Sequence, residues 1–246
     1  MSFHHHHHHH HDHTALSSSN KDHFDKQAHD YAHSHSHNKV ASYVASAIID
    51  ALSSALSEDT TRVLDYACGP GLISRALLPH VASVTGIDLS PNMVNEFNTA
   101  AQNQGLSKEE MQAVVGDLCS DQELLPEAKD FDVAVCSLAL HHIADAGLTV
   151  KRIAERLKSE TGMLAIVEFK PHGKMEHFEH VVAHHGFSEQ RVRDLFAEAG
   201  LVDVRFLEVG PPGGGGKGVT FLSKDDEGKE IKIEREVFLA IGRKAA

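Results

Sequence analysis

Apolar residues along the chain follow two different periods. Short continuous apolar runs, with the length of buried strands, end near Asp65, Asp88, Ser137 and Glu168. Between these runs, apolar residues recur every three or four positions, which is the period of a helix with one buried face. Strand and helix patterns that alternate in this way predict an α/β fold, in which helices cover both faces of a parallel sheet.

Recognisable start and stop residues bound the helical segments. Ser90 precedes Pro91 and is placed as an N-cap, and Ser188 is placed in the same way ahead of a helix that Gly200 ends. Helices are predicted over residues 40–52, 72–78, from 91 onward, 145–157 and from 188 to 200, and a closing antiparallel pair over 202–209 and 235–241. The glycine run 213–216 is predicted to be a hairpin loop rather than a phosphate cradle, because no Lys-Ser or Lys-Thr pair begins a helix after it.

The most informative local pattern lies between the first two strands. Gly69 and Gly71 lack a Cβ atom, so the loop after the first strand can turn tightly and lie against a ligand. Asp88 ends the next apolar run, which completes a βαβ unit with a ligand at its strand ends. NAD is disfavoured, because Ser74 replaces the third glycine of its fingerprint and Asp65 would repel a pyrophosphate. A ligand with a ribose for Asp88 and an ammonium group for Asp65 fits better.

The motif Asp65-x-x-Cys68-Gly69-x-Gly71, with Asp88 after it, resembles the class I S-adenosylmethionine-dependent methyltransferases. Gly116-Asp117-Leu118 and the segments 131–143 and 161–168 resemble that family's adenine-recognition segment, fourth strand and fifth strand. The resemblance covers about residues 24–246 and is to the small-molecule branch, which includes enzymes of ubiquinone and menaquinone biosynthesis. It implies a doubly wound, Rossmann-like sheet of seven strands, mostly parallel with the last strand antiparallel, and an N-terminal helical lid.

The resemblance also implies a site for S-adenosylmethionine and its product S-adenosylhomocysteine. Ala67 stands where many members have a further glycine, and Cys68 is expected to pack as a small apolar residue rather than to act as a nucleophile. Met93 is expected either against the adenine or in the core. The implied cofactor-binding residues are Asp65, Ala67, Cys68, Gly69, Gly71, Asp88, Leu89, Met93, Gly116, Asp117, Leu118, Cys136, Ser137 and Leu138.

Composition narrows the class of partner. The chain has 246 residues and a formal net charge of −12, and no basic stripe interrupts the negative charge, so binding to nucleic acid is not expected. No apolar run reaches 18 residues, so membrane insertion is not expected. Three cysteines suit a reducing compartment, and a cytoplasmic location is predicted. We expect a monomer or a weak dimer.

The N-terminal region divides near residue 20. The run His4 to His11 resembles an affinity tag, and the alternative is a native histidine-rich metal tract. Residues 1–20 are therefore expected to be a disordered tail, and residues 21–246 to form the methyltransferase domain. Within that domain, residues 21–56 are predicted to form the lid and the first helix, with ordinary helix packing as the alternative for the lid.

Histidines are the candidate catalytic residues. His142, His141 and His185 are predicted near the methyl acceptor, with His142 the first choice as general base. The insertion 171–187 is predicted to cap the acceptor site. If this insertion is helical, His177, His180 and His184 lie along one face and either line the pocket, bind a metal or face solvent. The predicted mechanism uses no metal.

The sequence therefore predicts direct in-line transfer of a methyl group from S-adenosylmethionine to a small molecule. Two other classes remain open at this point. One is a protein that keeps the fold and cofactor without turnover, and the other is an NAD-dependent oxidoreductase.

Overall fold

A computed structural model describes residues 6–120, 128–174, 179–213, 218–224 and 229–246. Its strands are β1 (Arg62–Tyr66), β2 (Ser83–Asp88), β3 (Met111–Val115), β4 (Val133–Ser137), β5 (Met163–Phe169), β6 (Leu201–Val209), β7 (Val219–Lys224), β8 (Glu230–Arg235) and β9 (Val237–Lys244). Its α-helices are α1 (His6–His33), α2 (His35–Leu52), α3 (Leu72–Leu77), α4 (Pro91–Asn103), α5 (Ala146–Ala154) and α6 (Glu189–Glu198). Short 3₁₀ turns follow at Leu78–His80 and Leu140–His142.

The main sheet has seven strands in the order β3-β2-β1-β4-β5-β9-β6. The first five are parallel, and β9 lies antiparallel between β5 and β6. This is the predicted doubly wound, Rossmann-like sheet with an antiparallel last strand. The strand order reverses between β1 and β4, so ligands are expected beyond the carboxyl ends of these strands.

Two large apolar clusters cover the two faces of the sheet. One joins the sheet to α5 and α6, and the other joins it to α2 and α3. The predicted caps are confirmed, because the hydroxyls of Ser90 and Ser188 accept hydrogen bonds from the backbone N–H groups of Met93 and Arg191. These bonds fix where α4 and α6 begin.

The N-terminal helix corrects the predicted boundary at residue 20. Residues His6–His33 form one continuous helix, so residues 6–20 are not a disordered tail. Asn20 is buried, and its side-chain amide donates to the carbonyl oxygen of His142 at 2.7 Å. This order could not be predicted from the sequence, because the stabilising contacts are with residues far along the chain and do not produce an apolar period.

A second, two-stranded sheet was not predicted. Strands β7 and β8 form an antiparallel hairpin that packs on α2. The prediction began the last strand at residue 235, whereas β8 ends at Arg235 and β9 begins at Val237. Most of the glycine run 213–216 lies outside the described residues. The described helices include none with the length and apolar character needed to span a bilayer.

Candidate active site

The loop between β1 and α3 has three residues in the left-handed region. Ala67, Gly69 and Gly71 have φ values of 55°, 52° and 79°. A Cβ atom on Gly71 would lie 2.6 Å from Cδ2 of Phe97, so both the conformation and the space require glycine there. Ala67 adopts the same conformation with a Cβ atom, at a steric cost. The predicted tight loop is confirmed, with its strain at Ala67.

Asp88 fixes this loop to the end of β2. One carboxylate oxygen accepts from the backbone N–H of Gly69 at 2.7 Å, and the other accepts from that of Ser90 at 2.9 Å. Burial raises the pKa of Asp88 to about 6, although the two hydrogen bonds act in the opposite direction. Each oxygen keeps a lone pair for a further donor, such as a ligand hydroxyl.

Asp65 is a second buried acid at the end of the neighbouring strand. Its carboxyl accepts from the hydroxyl of Ser74 at 2.6 Å. Burial, together with a smaller effect of the negative charge of nearby Asp88, raises the pKa of Asp65 to about 7. No basic side chain of the described residues pairs with Asp65, so a cationic ligand group would stabilise its ionised form.

The third side of this region lies beyond β3. Oδ1 of Asp117 accepts from the backbone N–H of Cys119 at 2.8 Å and from the hydroxyl of Tyr66 at 3.2 Å. Met93 is buried at the start of α4 and lies against the glycine loop, with its sulfur 4.0 Å from where a Cβ of Gly69 would be. These contacts order the part of the cavity that lies between β3 and α4.

One cavity, with a volume of about 290 Å³, brings most of the predicted residues together. Those that line it are Asp65, Ala67, Cys68, Gly69, Asp88, Leu89, Met93, Gly116, Asp117, Ser137, Leu138, His141, His142 and His185. Leu138 has a φ of 51°, so the backbone is also strained where the loop after β4 borders the cavity.

Three of the predicted cofactor-binding residues do not line the cavity. Gly71 acts as the N-cap of α3, and Leu118 packs in the core on the α5 side of the sheet. Cys136 also lies in that core, because successive side chains of β4 point to opposite faces and Ser137 takes the cavity side. Burial raises the thiol pKa of both Cys136 and Cys68, which keeps these groups neutral, as expected for packing residues.

His141 is held by a buried acid that the sequence prediction did not select. Its Nδ1 lies 3.0 Å and 2.9 Å from the two carboxylate oxygens of Glu168, and its backbone N–H donates to the same carboxylate at 3.1 Å. Glu168 is fully buried at the end of β5 and also accepts from the backbone N–H of Phe169. This arrangement fixes the His141 ring and places the proton on Nδ1, which leaves Nε2 as an acceptor.

His142 has a different environment. Its Nδ1 donates to the carbonyl oxygen of Val181 at 2.6 Å, and its ring packs edge-on against Phe24 of α1 with centroids 5.0 Å apart. Burial lowers the pKa of His142 well below its ordinary value, so the ring is neutral and weakly basic.

The capping insertion is irregular wherever it is described. His177 lies outside the described residues, and residues 179–187 contain no helix, so the predicted helical face is absent from this part. His184 directs Nε2 to the carbonyl oxygen of Ile143 at 3.0 Å. Within the described residues, the one set of three potential metal ligands is an exposed group elsewhere, formed by His29, His33 and Glu96.

Helix α1 closes the cavity from above the strand ends. Oδ1 of Asp25 accepts from the hydroxyl of Ser90 at 2.5 Å and from the backbone N–H of Asn92 at 3.1 Å. Further along α1, Tyr31 stacks on His37 with ring centroids 4.0 Å apart. Helix α1 therefore borders the same cavity as the candidate cofactor-binding residues.

Three parts of the cavity wall were missed by sequence reasoning. Phe221, Ile233 and Arg235 come from the β7-β8 hairpin, and Ser17 and Asn20 come from α1. Phe169 joins them at the end of β5. The alternating apolar pattern of residues 219–223 and 231–235 was the one available signal for the hairpin.

The sequence and the fold of this chain are similar to those of known methyltransferases. A family model described as a methyltransferase domain matches residues 63–160. An uncharacterised methyltransferase of Schizosaccharomyces pombe is 35% identical over 157 residues, which are 59% of this chain and 55% of that protein. A ubiquinone biosynthesis O-methyltransferase of Coxiella burnetii is 35% identical over 97 residues, which are 39% of this chain and 38% of that protein. The chain thus spans about half or less of the length of these relatives.

Solved structures share the whole fold at lower identity. The magnesium protoporphyrin IX methyltransferase of Synechocystis, solved with bound S-adenosylhomocysteine, matches with a TM-score of 0.55 and 18% identity. The match covers 84% of this chain and 83% of that one. At this identity the likeness concerns the fold.

Proposed function

We propose that the chain is a class I S-adenosylmethionine-dependent methyltransferase and that it transfers a methyl group from S-adenosylmethionine to a small-molecule acceptor. The observation that carries this proposal is the pairing of two buried acids with a left-handed glycine loop at the switch point of the sheet. Nothing in the comparisons points to an NAD-dependent oxidoreductase or to a binding protein without turnover.

The residues around the glycine loop fit the chemical groups of this cofactor. Asp88 can accept from two ribose hydroxyls, because each carboxylate oxygen has more than one lone pair and both oxygens lie at the glycine loop, where they accept from Gly69 and Ser90. Asp65 offers a buried carboxyl without a basic partner among the described residues, which suits an ammonium group. Gly116 and Asp117 border the remaining region, where the family resemblance places the adenine.

Bound S-adenosylmethionine would supply an electrophilic methyl group on its sulfonium sulfur. The chain's task is then to orient the acceptor, exclude water and take up a proton when the acceptor is a hydroxyl or a phenol. Helix α1 and the capping insertion exclude water, since both contact the loop that carries His142.

We assign the general base to His141 rather than to His142. Glu168 orients the His141 ring and stabilises it when Nε2 takes a proton, in the manner of an acid-histidine pair. His142 has no carboxylate partner among the described residues. Burial lowers the pKa of its ring, which makes His142 a weak base. We place His142 in the wall that separates α1 from the acceptor.

A small acceptor fits the enclosed shape of the cavity. The wall beyond the strand ends is largely apolar and comes from Phe24, Val40, Val44, Phe169, Phe221 and Ile233. The net charge of −12 is unfavourable for a nucleic-acid acceptor. The Coxiella relative, by its name, methylates oxygen in ubiquinone biosynthesis, which is consistent with a small acceptor.

Calorimetric titration with S-adenosylmethionine and S-adenosylhomocysteine tests the cofactor assignment. Asp88→Ala removes the charged partner of the ribose and should weaken binding by about 1.5–3 kcal/mol. Asp50→Ala, which removes an exposed carboxyl of α2, is the matched control and should bind like the parent protein. Unchanged affinity in Asp88→Ala would remove that residue from the site. Turnover itself is tested by S-adenosylhomocysteine release with labelled donor and a metabolite extract.

A further inference from the structure

Besides Oδ1 of Asn20, three polar ring or guanidinium atoms in the cavity wall lack a hydrogen-bond partner among the described residues. They are Nδ1 of His37, Nδ1 of His185 and Nε of Arg235, and each atom is buried. All three residues line the same cavity. Buried polar atoms without partners are rare in folded proteins, because each costs the free energy of its lost hydration. Their presence in one cavity indicates a polar group of a ligand.

Arg235 is the charged member of this group. It lies at the end of β8, where Nη1 donates to the carbonyl oxygen of Glu234 at 2.8 Å. No carboxylate of the described residues forms a salt bridge with its guanidinium. Nε is therefore a donor without a partner among the described residues, and a guanidinium is a group that can bind a carboxylate in a bidentate manner.

The strand pattern shows that Arg235 is turned toward the cavity. Ile233 and Arg235 line the cavity, whereas Lys232 and Glu234 are exposed on the other face of β8 and pair with each other. Because successive side chains of a strand point to opposite faces, Arg235 faces the cavity and Lys232 faces the solvent. Lys21, a further cation at the cavity, pairs with Asp25 at 2.8 Å.

Aromatic rings connect the guanidinium end of the cavity with the candidate base. Phe169 lies 4.9 Å from the His141 ring and 6.0 Å from Phe221, measured between ring centroids. Phe221 in turn lies 6.2 Å from His37. This wall suits the apolar, flat body of an aromatic acceptor.

We propose that the methyl acceptor is an aromatic molecule with a single carboxylate, which Arg235 binds at the hairpin while the accepting hydroxyl faces His141. Among the described Lys and Arg residues that line the cavity, Arg235 is the one without a carboxylate partner, and its single positive charge balances one carboxylate but not the two charges of a phosphate dianion. His37 and His185 add hydrogen-bonding atoms near the same part of the wall. This assignment rests on the proposed methyltransferase function and adds the substrate class to it.

Calorimetric titration on the full chain, saturated with S-adenosylhomocysteine, tests the assignment. The probes are 4-hydroxybenzoate, 4-hydroxyphenylacetate and 4-hydroxycinnamate, each compared with its carboxamide, which has the same shape without the charge. We expect at least one carboxylate to bind at least tenfold more tightly than its amide. Arg235→Gln should abolish this preference and leave S-adenosylhomocysteine affinity unchanged. Lys232→Gln, which removes a charge from the solvent face of the same strand, should keep the preference.

The outcomes separate the two proposals. Failure of the parent protein to bind S-adenosylhomocysteine contradicts the proposed function. Two results overturn the substrate class alone, provided that S-adenosylhomocysteine binds. In the first, every carboxylate binds no more tightly than its amide, and in the second, none of the probes binds. A carboxylate preference that survives in Arg235→Gln also overturns it.

Discussion

Replacing Asp65 with asparagine should stabilise the ligand-free protein and weaken its cofactor complex. Asparagine keeps a side-chain oxygen for the hydroxyl of Ser74 but cannot ionise. In the folded protein the pKa of Asp65 is raised from 3.8 to about 7 by burial, which corresponds to about 4 kcal/mol of free energy against the ionised form. The parent protein bears this cost at high pH, and the Asp65→Asn protein does not.

The pH dependence follows from the direction of this change in pKa. Between pH 4 and pH 7 the folded state binds more protons at Asp65 than the unfolded state does, so the free energy of unfolding decreases as the pH rises. From pH 5 to pH 8, the parent protein should lose about 2 to 3 kcal/mol relative to Asp65→Asn. Asp88, whose pKa is also raised, titrates in both proteins and largely cancels in the comparison.

Urea denaturation at pH 5 and pH 8 measures this difference, and calorimetry measures the ligand effect. At pH 8, Asp65→Asn should bind S-adenosylhomocysteine about tenfold more weakly or worse, because it loses a charged partner for the ammonium group. Binding of 5′-methylthioadenosine, which lacks the amino-acid tail, should change little. Asp50→Asn, at an exposed position of α2, is the control for stability. A stability difference between parent and Asp65→Asn that is the same at both pH values would refute the reasoning.

Three further predictions concern the base, the strained loop and the lid. With a hydroxyl or phenol acceptor, His141→Asn should lower kcat by ~10²–10⁴-fold and leave S-adenosylhomocysteine affinity unchanged, and an unaltered kcat would exclude His141 as the base. Ala67→Gly relieves a left-handed conformation and should raise the free energy of unfolding by about 1 kcal/mol in urea, whereas the helical control Ala47→Gly should lower it by about as much. Deleting residues 1–13 should leave cofactor and acceptor affinity unchanged, whereas deleting residues 1–20 should weaken the acceptor complex. The longer deletion removes the contact of Ser19 with the capping insertion and that of Asn20 with the loop that carries His142. Equal behaviour of the two truncations in calorimetry would contradict a role for this part of the lid.

The parallel strands and the position of the candidate cofactor site could be predicted from the sequence. Both depend on local patterns: buried strands read as apolar runs, and the loop after β1 needs glycine for its backbone conformation. Asp65 and Asp88 could be placed at the site because each ends an apolar run, and the carboxyl ends of parallel strands meet at one edge of the sheet. Local sequence is sufficient here because neighbouring residues impose these constraints.

The acceptor side of the cavity depended on tertiary structure. Glu168 and His141 are 27 positions apart and meet only because β5 pairs with β4, so no local pattern favours His141 over His142. Arg235 reaches the cavity only when the β7-β8 hairpin packs on α2. Burial likewise decides the pKa of Asp65 and of His142, since the surrounding side chains that exclude water come from distant parts of the chain. The sequence shows which groups can ionise or donate hydrogen bonds, but long-range packing determines which of them face one another and which are removed from water.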